Sequence, residues 1–115
     1  MLPRSRRLTT EMLKEMQTND AVRVTHSSFF VARTLSTESS PARFAVIISQ
    51  KVTKGAVERH RIKRRVHHAI NDLLGHTQDG WKIALYAKSS IRDASSEEVA
   101  SDLEKILRKA KVYNG

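Results

Sequence analysis

Residues 59–70 read "RHRIKRRVHHAI", and this stretch joins a run of positive charge to a helical pattern of apolar residues. The apolar residues that follow the helical spacing are Ile62, Val66, Ala69, Ile70 and Leu73. This spacing predicts one stripe that faces a core, with Ile62 as its first core residue. The residues predicted on the opposite side of the helix are Arg61, Arg64, Arg65 and His68. The stretch therefore predicts a helix that packs by one side and presents cations on the other.

Arg59 does not fit this pattern, because its helical phase places it within the apolar stripe. Either the helix begins near residue 59 or 60, or the Arg59 side chain leaves through a gap at the start of the helix. Lys63 lies at the edge of the stripe, where its aliphatic stem can pack while its ammonium group stays in water.

The net charge of +9 is concentrated in two stretches of this 115-residue chain. Residues 51–65 hold seven Lys and Arg residues against one acid, and residues 1–8 hold three Arg residues and no acid. Concentrated charge predicts a surface for a polyanion, and the planar fork of arginine suits phosphate oxygens. Nucleic acid is the predicted partner. A membrane surface is disfavoured, because no basic helix carries a large aromatic or leucine face.

The remaining sequence predicts four strands and two further helices. Thr9 is predicted to cap a first helix that runs through Met16 or Gln17, and the last helix begins with a capping box at Ser95 and Glu98. The strands are predicted at residues 22–25, 29–35, 43–50 and 81–87, and a mobile polar loop at 36–42. Residues 43–50 are nearly continuously apolar, which predicts a central strand buried on both faces. The order is α-β-β-β-α-β-α in a single nucleic-acid-binding domain, residues 1–115.

The second strand leaves one question open, because its residues alternate between two faces. Phe30, Ala32 and Thr34 share one face, and Phe29, Val31 and Arg33 share the other. Each phenylalanine either packs in the core or stacks against single-stranded bases on an open face of the sheet.

No catalytic constellation is found in the sequence. There is no cysteine, no glycine-rich phosphate loop and no H-E-x-x-H motif, so no catalytic residue and no metal ligand is predicted. The histidines, which are His26, His60, His67, His68 and His76, are predicted to face solvent or phosphate. A zinc site from His60 and His67 is the alternative. No apolar run marks a secretory signal or a membrane span, and the absence of cysteine suits a cytoplasmic location.

The segment "KVTKGAVERHRIKRRVHHAI", residues 51–70, resembles the signature of the bacterial ribonuclease P protein subunit. The matching residues are Lys51, Ala56, Val57, Arg59, Arg61, Ile62, Lys63 and Arg64. The family's central asparagine is replaced here by His60. The segments "RRLT", "RFAVIIS" and "IALYAK" also occur in the order expected for the family.

The resemblance implies both a fold and a function. The fold is an α/β sandwich of the α+β type, similar to the second domain of a small-subunit ribosomal protein, with a left-handed β-α-β crossover. The family's protein binds a catalytic RNA and the single-stranded 5′ leader of precursor tRNA. The RNA and Mg²⁺, which is held mainly by the RNA, perform the hydrolysis that removes the leader. No DNA partner is expected.

The resemblance also implies the site residues. Arg59, Arg61, Lys63 and Arg64 are predicted to contact the catalytic RNA, together with their basic neighbours His60, Arg65 and Lys54. The leader cleft is predicted to be lined by Phe30, Lys51 and Lys88, and by Leu13 and Met16 of the first helix. The family usually has an aromatic residue where this chain has Leu13, so leader contact there is expected to be van der Waals contact. The alternative function is a structural RNA-binding protein of ribosomal type that makes no leader contact.

Overall fold

The helices and strands follow one another in the order that the sequence predicts. The computed structural model describes residues 2–37 and 40–114. The helices are α1 (Thr10–Thr18), α2 (Ala56–Leu73) and α3 (Ser96–Lys109). The strands are β1 (Arg23–His26), β2 (Phe30–Ser36), β3 (Arg43–Ile47) and β4 (Trp81–Ala87). Short 3₁₀ turns lie at Arg4–Arg6, Leu74–His76 and Ser89–Asp93. The mobile loop predicted at 36–42 falls partly on residues 38 and 39, which lie outside the described residues.

The four strands form one mixed sheet in the order β1-β2-β4-β3. The β1–β2 and β2–β4 pairs are antiparallel, and β3 is parallel to β4. Helix α2 connects these two parallel neighbours. The prediction of a central strand at 43–50 is wrong, because β3 lies at an edge of the sheet and ends at Ile47. The left-handed crossover that the family implies stays a prediction.

Strand β3 is apolar along both faces because each face is covered by a different layer. Phe44 and Val46 are buried in the main core, and Ala45 and Ile47 pack into a second apolar cluster that includes Met16 of α1. The outer edge is also covered near its start, since the Leu8 amide donates to the Phe44 carbonyl over 2.9 Å. A continuous run of apolar residues thus indicates that both faces of a strand are covered, but it does not indicate whether the strand is central or at an edge of the sheet.

The main core lies between one face of the sheet and the pair of helices α2 and α3. Ile62 is 3% exposed, and Val66 and Ile70 are fully buried, so the predicted core stripe of α2 is confirmed. Helix α1 covers part of the other face, where Met16 packs in a cluster with Ala84 of β4. The layers are therefore α1, sheet, and α2 with α3, which confirms the predicted α/β sandwich.

Both predicted helix caps are present. The Thr9 hydroxyl accepts from the Met12 amide over 3.2 Å at the start of α1. At the start of α3, the Glu98 amide donates to the Ser95 hydroxyl over 3.1 Å, and the Ser95 amide donates to the Glu98 carboxylate over 3.0 Å. These reciprocal bonds satisfy amides that have no partner inside a helix. They fix where α3 begins beside α2.

Candidate nucleic-acid interface

Arg59 folds back over the start of α2. Its Nη1 donates to the carbonyls of Thr53 and Lys54 over 3.0 and 2.8 Å, and the Thr53 hydroxyl donates to Glu58 over 3.1 Å. Helix α2 already begins at Ala56, so it does not start near residue 59 or 60. The other predicted alternative is confirmed, because the Arg59 side chain leaves through the gap at the helix start. These bonds hold the loop that carries Lys54 against the helix. Nε and Nη2 of Arg59 have no partner in the described part of the chain, so they can bind phosphate.

A first group of basic residues on α2 faces α3. Arg61, Arg64 and His68 are exposed and line a groove of about 530 Å³ between the two helices. Within residues 2–37 and 40–114, Arg61 and Arg64 make no hydrogen bond or salt bridge to another side chain or carbonyl. Arg65 differs, because it is half-buried and its Nη1 donates to the Ala94 carbonyl over 2.7 Å. Arg65 thus holds the loop before α3, while its neighbours remain available to a ligand.

A second group of basic residues lies on the other side of α2. Arg59, His60 and Lys63 line a smaller pocket of about 260 Å³, together with Ile48 and Ala56. This pocket lies where the chain leaves the end of β3. The helical pattern sets Arg59 and Lys63 apart from the other cations of α2, and the fold places the two groups on the β3 side and the α3 side of the helix.

His67 does not face solvent or phosphate, and that prediction is wrong. The residue is only 5% exposed, because it lies on the part of α2 that packs inward. Burial lowers the pKa of the imidazole below its ordinary value, and the nearby positive charges of Lys63 and Arg7 lower it further. Its Nδ1 has no hydrogen-bond partner in the described residues. His67 is therefore a neutral, inward-facing side chain, unlike the exposed His60 and His68.

Two residues predicted to line the leader cleft are instead buried. Phe30 is 0% exposed and packs in the main core, on the sheet face that α2 and α3 cover. Met16 is 2% exposed, because it packs between α1 and the sheet. Side chains without accessible surface cannot stack against RNA, so the predictions for Phe30 and Met16 are wrong. Both residues support the surfaces above them.

Lys51, Lys88 and Leu13 keep accessible surface. Lys51 is exposed, and Lys88 is half-buried with its Nζ donating to the Ser27 carbonyl over 2.6 Å. The Ser89 hydroxyl donates to the Lys51 carbonyl over 3.4 Å, which brings these two basic segments together. Leu13 is half-buried on α1. The role of these three residues in leader binding stays a prediction.

Arg33 is a candidate that the sequence reasoning did not select. It lies on the α1 side of the sheet, paired in register with Ala84, and its Nε is buried without a hydrogen-bond partner in the described residues. A buried guanidinium nitrogen without a partner is costly, and a polyanion cannot reach this atom as it lies. The rest of the Arg33 side chain keeps accessible surface, so its positive charge is available to a polyanion. The available signal was the alternation of β2, which places Arg33 on the face opposite Phe30.

The described residues form neither a metal cluster nor a membrane-spanning helix. Within 2–37 and 40–114, no group of three or more His, Cys, Asp or Glu side chains is placed to hold a metal ion. No helix in this part of the chain is both long enough and apolar enough to cross a bilayer.

Comparison with known sequences places this arrangement in a family. The family model described as ribonuclease P matches residues 2–111. A ribonuclease P protein component from Picosynechococcus sp. is 36% identical over 77 residues, which are 67% of this chain and 66% of that protein. One from Rippkaea orientalis is 38% identical over 76 residues, and the chain spans 60% of its length. One from Pseudanabaena sp. is 31% identical over 117 residues, which cover 100% of this chain and 99% of that protein.

Solved structures share the fold. The ribonuclease P protein from Staphylococcus aureus superposes with a TM-score of 0.82 at 21% identity, over 97% of this chain and 100% of that one. The protein from Thermotoga maritima superposes with a TM-score of 0.77 at 16% identity, over 90% and 96% of the two chains. Because the family model matches nearly the whole sequence and a relative aligns end to end above 30% identity, the chain belongs to the ribonuclease P protein family.

Proposed function

We propose that this chain is the protein component of ribonuclease P and binds its catalytic RNA through the exposed cations of α2. The observation that carries the proposal is the rigid presentation of unpaired positive charge. Arg61 and Arg64 are exposed on a helix whose opposite stripe, from Ile62 to Ile70, is buried in the core. Such a helix positions guanidinium groups against phosphates without having to order itself on binding. His60, Lys63 and Lys54 are also exposed, and we propose that they contribute to binding of the catalytic RNA.

We propose that the single-stranded 5′ leader of precursor tRNA is the second RNA partner. Two features support this proposal. The Ser89 hydroxyl joins the segments that carry Lys51 and Lys88, and Leu13 and Arg33 keep accessible surface on the α1 side of the sheet. Cations of this kind bind a nucleic-acid backbone, and an accessible apolar side chain such as Leu13 can contact bases without sequence preference.

The chemistry of the proposed complex is hydrolysis of the phosphodiester bond that joins the leader to the tRNA. Mg²⁺, held mainly by the catalytic RNA, would supply the Lewis acidity for this step. The residues of this chain neutralise phosphate charge where RNA strands come together, which raises precursor affinity and lowers the Mg²⁺ concentration that is needed. We place the complex in the cytoplasm, where tRNA precursors are made.

The test is cleavage of a precursor tRNA at low Mg²⁺ by a bacterial ribonuclease P RNA, with and without this chain. We expect cleavage at the mature 5′ end to be faster with the chain, and the chain alone to be inactive. If the chain binds the RNA and leaves cleavage unchanged, it is a structural RNA-binding protein of ribosomal type. If the chain cleaves without the RNA, it is a protein nuclease and the proposal fails.

The leader contact is tested separately with two substrates, one with a long leader and one with a single leader nucleotide. The double variant Lys51→Ala and Arg33→Ala is expected to weaken binding of the long-leader substrate only. Lys105→Ala is the matched control, because Lys105 is exposed on α3, away from α1. Equal weakening with both substrates would contradict a leader contact at these residues.

A further inference from the structure

The groove between α2 and α3 carries charges of both signs that do not neutralise each other. Arg61 and Arg64 lie on the α2 side, and Glu97, in the first turn of α3, lies on the other. Glu97 is exposed and makes no hydrogen bond or salt bridge within the described part of the chain. The bond from Arg65 to the Ala94 carbonyl fixes the separation of the helices at this end. The groove is thus a fixed gap with donors on one side and a carboxylate acceptor on the other.

The floor of this groove is made of small side chains. Ala69 of α2 is buried, and Ala100 of α3 packs partly against the core, so neither fills the space above it. Asp72 and His68 lie at one end and approach each other only to 3.9 Å, with both side chains largely exposed. A groove of about 530 Å³ with an apolar floor has room for a flat aromatic ring.

The positions of the positive and negative charges in the groove determine which chemical group of an RNA can bind there. A phosphate alone would pair with Arg61 and Arg64, but Glu97 across the groove would repel it. A nucleotide with its base turned into the groove satisfies both sides, because its phosphate faces the guanidinium groups and its base edge offers N–H donors to the carboxylate. Guanine fits a carboxylate best, since its N1–H and N2–H groups are adjacent and the two carboxylate oxygens accept side by side.

We propose that the groove between α2 and α3 binds an unpaired guanine of the catalytic RNA, with Glu97 accepting from its Watson–Crick edge. Arg61 and Arg64 then bind the flanking phosphates, and the ring lies over Ala69 and Ala100. This inference rests on the proposed function and adds a base-specific contact to a surface otherwise explained by charge. Glu97 becomes a specificity-determining residue even though its charge alone opposes RNA binding.

The sign of the effect of Glu97→Gln separates this proposal from simple electrostatics. Removing a negative charge near RNA tightens binding when only charge matters. Losing a carboxylate that accepts two base donors weakens binding, by about 5- to 150-fold for a bidentate base contact. The measurement is the affinity of the full chain for a bacterial ribonuclease P RNA at constant salt. Asp93→Asn is the matched control, because Asp93 is exposed outside the groove and its loss tests charge alone.

Weaker binding by Glu97→Gln, with Asp93→Asn unchanged or tighter and both proteins equally heat-stable, is the expected result. Tighter binding by Glu97→Gln overturns the proposal. Ala100→Leu is the second variant, since its larger side chain fills the floor; it is expected to weaken binding without changing the salt dependence. Unchanged binding by a folded Ala100→Leu chain also overturns the proposal.

The base itself is tested with the trinucleotides ApGpA and ApIpA, in which inosine lacks the N2 amino group. Amide signals of Ala69 and Ala100 are expected to shift with ApGpA and to shift less with ApIpA. Equal shifts with both, or none, contradict guanine recognition. This experiment does not need the catalytic RNA. It therefore separates failure of the groove proposal from failure of the proposed function, which would appear as no binding of wild-type chain to that RNA.

Discussion

At the scale of single residues, Asp102 of α3 holds the turn between β1 and β2. It is 6% exposed, and its carboxylate accepts from the Ser27 hydroxyl at 2.6 Å and from the Phe29 amide at 3.0 Å. The same turn supplies the Ser27 carbonyl that binds Lys88. One buried carboxylate thus connects the helix layer to the segment that presents Lys88.

Asp102→Ala is expected to destabilise the fold by about 1–3 kcal/mol, because it removes the acceptor of three part-buried hydrogen bonds. The measurement is the free energy of unfolding in urea. Asp93→Asn serves as the control and should change it by less than about 0.5 kcal/mol, since Asp93 is exposed. A loss for Asp102→Ala no larger than for this control would show that the turn does not depend on the carboxylate.

His67 makes stability depend on pH in a definite direction. Its pKa in the folded chain lies below the ordinary value of 6.5, chiefly because the imidazole is buried. As the pH falls below 6.5, the unfolded chain binds a proton that the folded chain does not. The free energy of unfolding is then expected to fall, by up to about 1.4 kcal/mol per pH unit. This loss continues until the pH reaches the lowered pKa of the folded state.

Urea unfolding between about pH 7.5 and 5.5 measures this slope. His67→Leu is expected to flatten it, and His60→Gln is the control that should leave it unchanged, because His60 is exposed. Glu98 acts in a separate window. Its pKa is lowered by hydrogen bonds from Ser95, so the stability it contributes is lost only as the pH falls below about 4.5. A slope that survives His67→Leu would assign the effect to another group.

At the scale of elements, α2 owes its position to its apolar stripe and its function to the remaining surface. Ile62→Ala is expected to cost about 2–5 kcal/mol of unfolding free energy, as for other large-to-small changes in a core. Val57→Ala, one turn earlier, should cost less than about 0.5 kcal/mol apart from helix propensity, because Val57 is 76% exposed. Urea unfolding of the two variants compares them directly. Similar losses would contradict the assignment of Ile62 as the first anchor.

Helix α2 and strands β2 and β3 show what the local sequence pattern can and cannot predict. Helical periodicity identifies Ile62 as a core residue because the buried residues of one helix face recur at a fixed spacing in the sequence. Strand alternation groups Phe30 with Ala32 and Arg33 with Val31, but the choice of covered face depends on where α2, α3 and α1 pack. The edge position of β3 also cannot be predicted from the local sequence, because it is set by pairing between strands that are distant along the chain. These errors all concern partners that the local sequence does not contain.

At the scale of the whole molecule, the charge pattern predicts a polyanion surface, and the fold determines how many of its cations are available. Arg65 donates a hydrogen bond to the Ala94 carbonyl, and Arg59 donates to the carbonyls of Thr53 and Lys54. Arg61 and Arg64 have no such partner among the residues that the structure describes. Helical phase already sets Arg59 apart, but it groups Arg65 with Arg61 and Arg64, because all three lie on the same side of the predicted helix. Availability depends on loops that fold back against the helix from outside it.

This division predicts how RNA affinity responds to salt. Each lost phosphate contact reduces the slope of log affinity against log salt concentration by about 0.7–1. Arg61→Ala and Arg64→Ala are each expected to reduce the slope by that amount, and the double variant by about twice as much. The measurement is the affinity for a bacterial ribonuclease P RNA across a series of salt concentrations.

Lys105→Ala is the control, because it removes one exposed positive charge from α3 and should leave the slope unchanged. If all three variants reduce the slope equally, the RNA responds to net charge and not to a defined surface. If Arg61→Ala and Arg64→Ala alone reduce it, bound phosphates lie along the α3 side of α2. The salt series thus locates the backbone contact independently of any base, because a contact through Glu97 releases no counterion and leaves the slope unaltered.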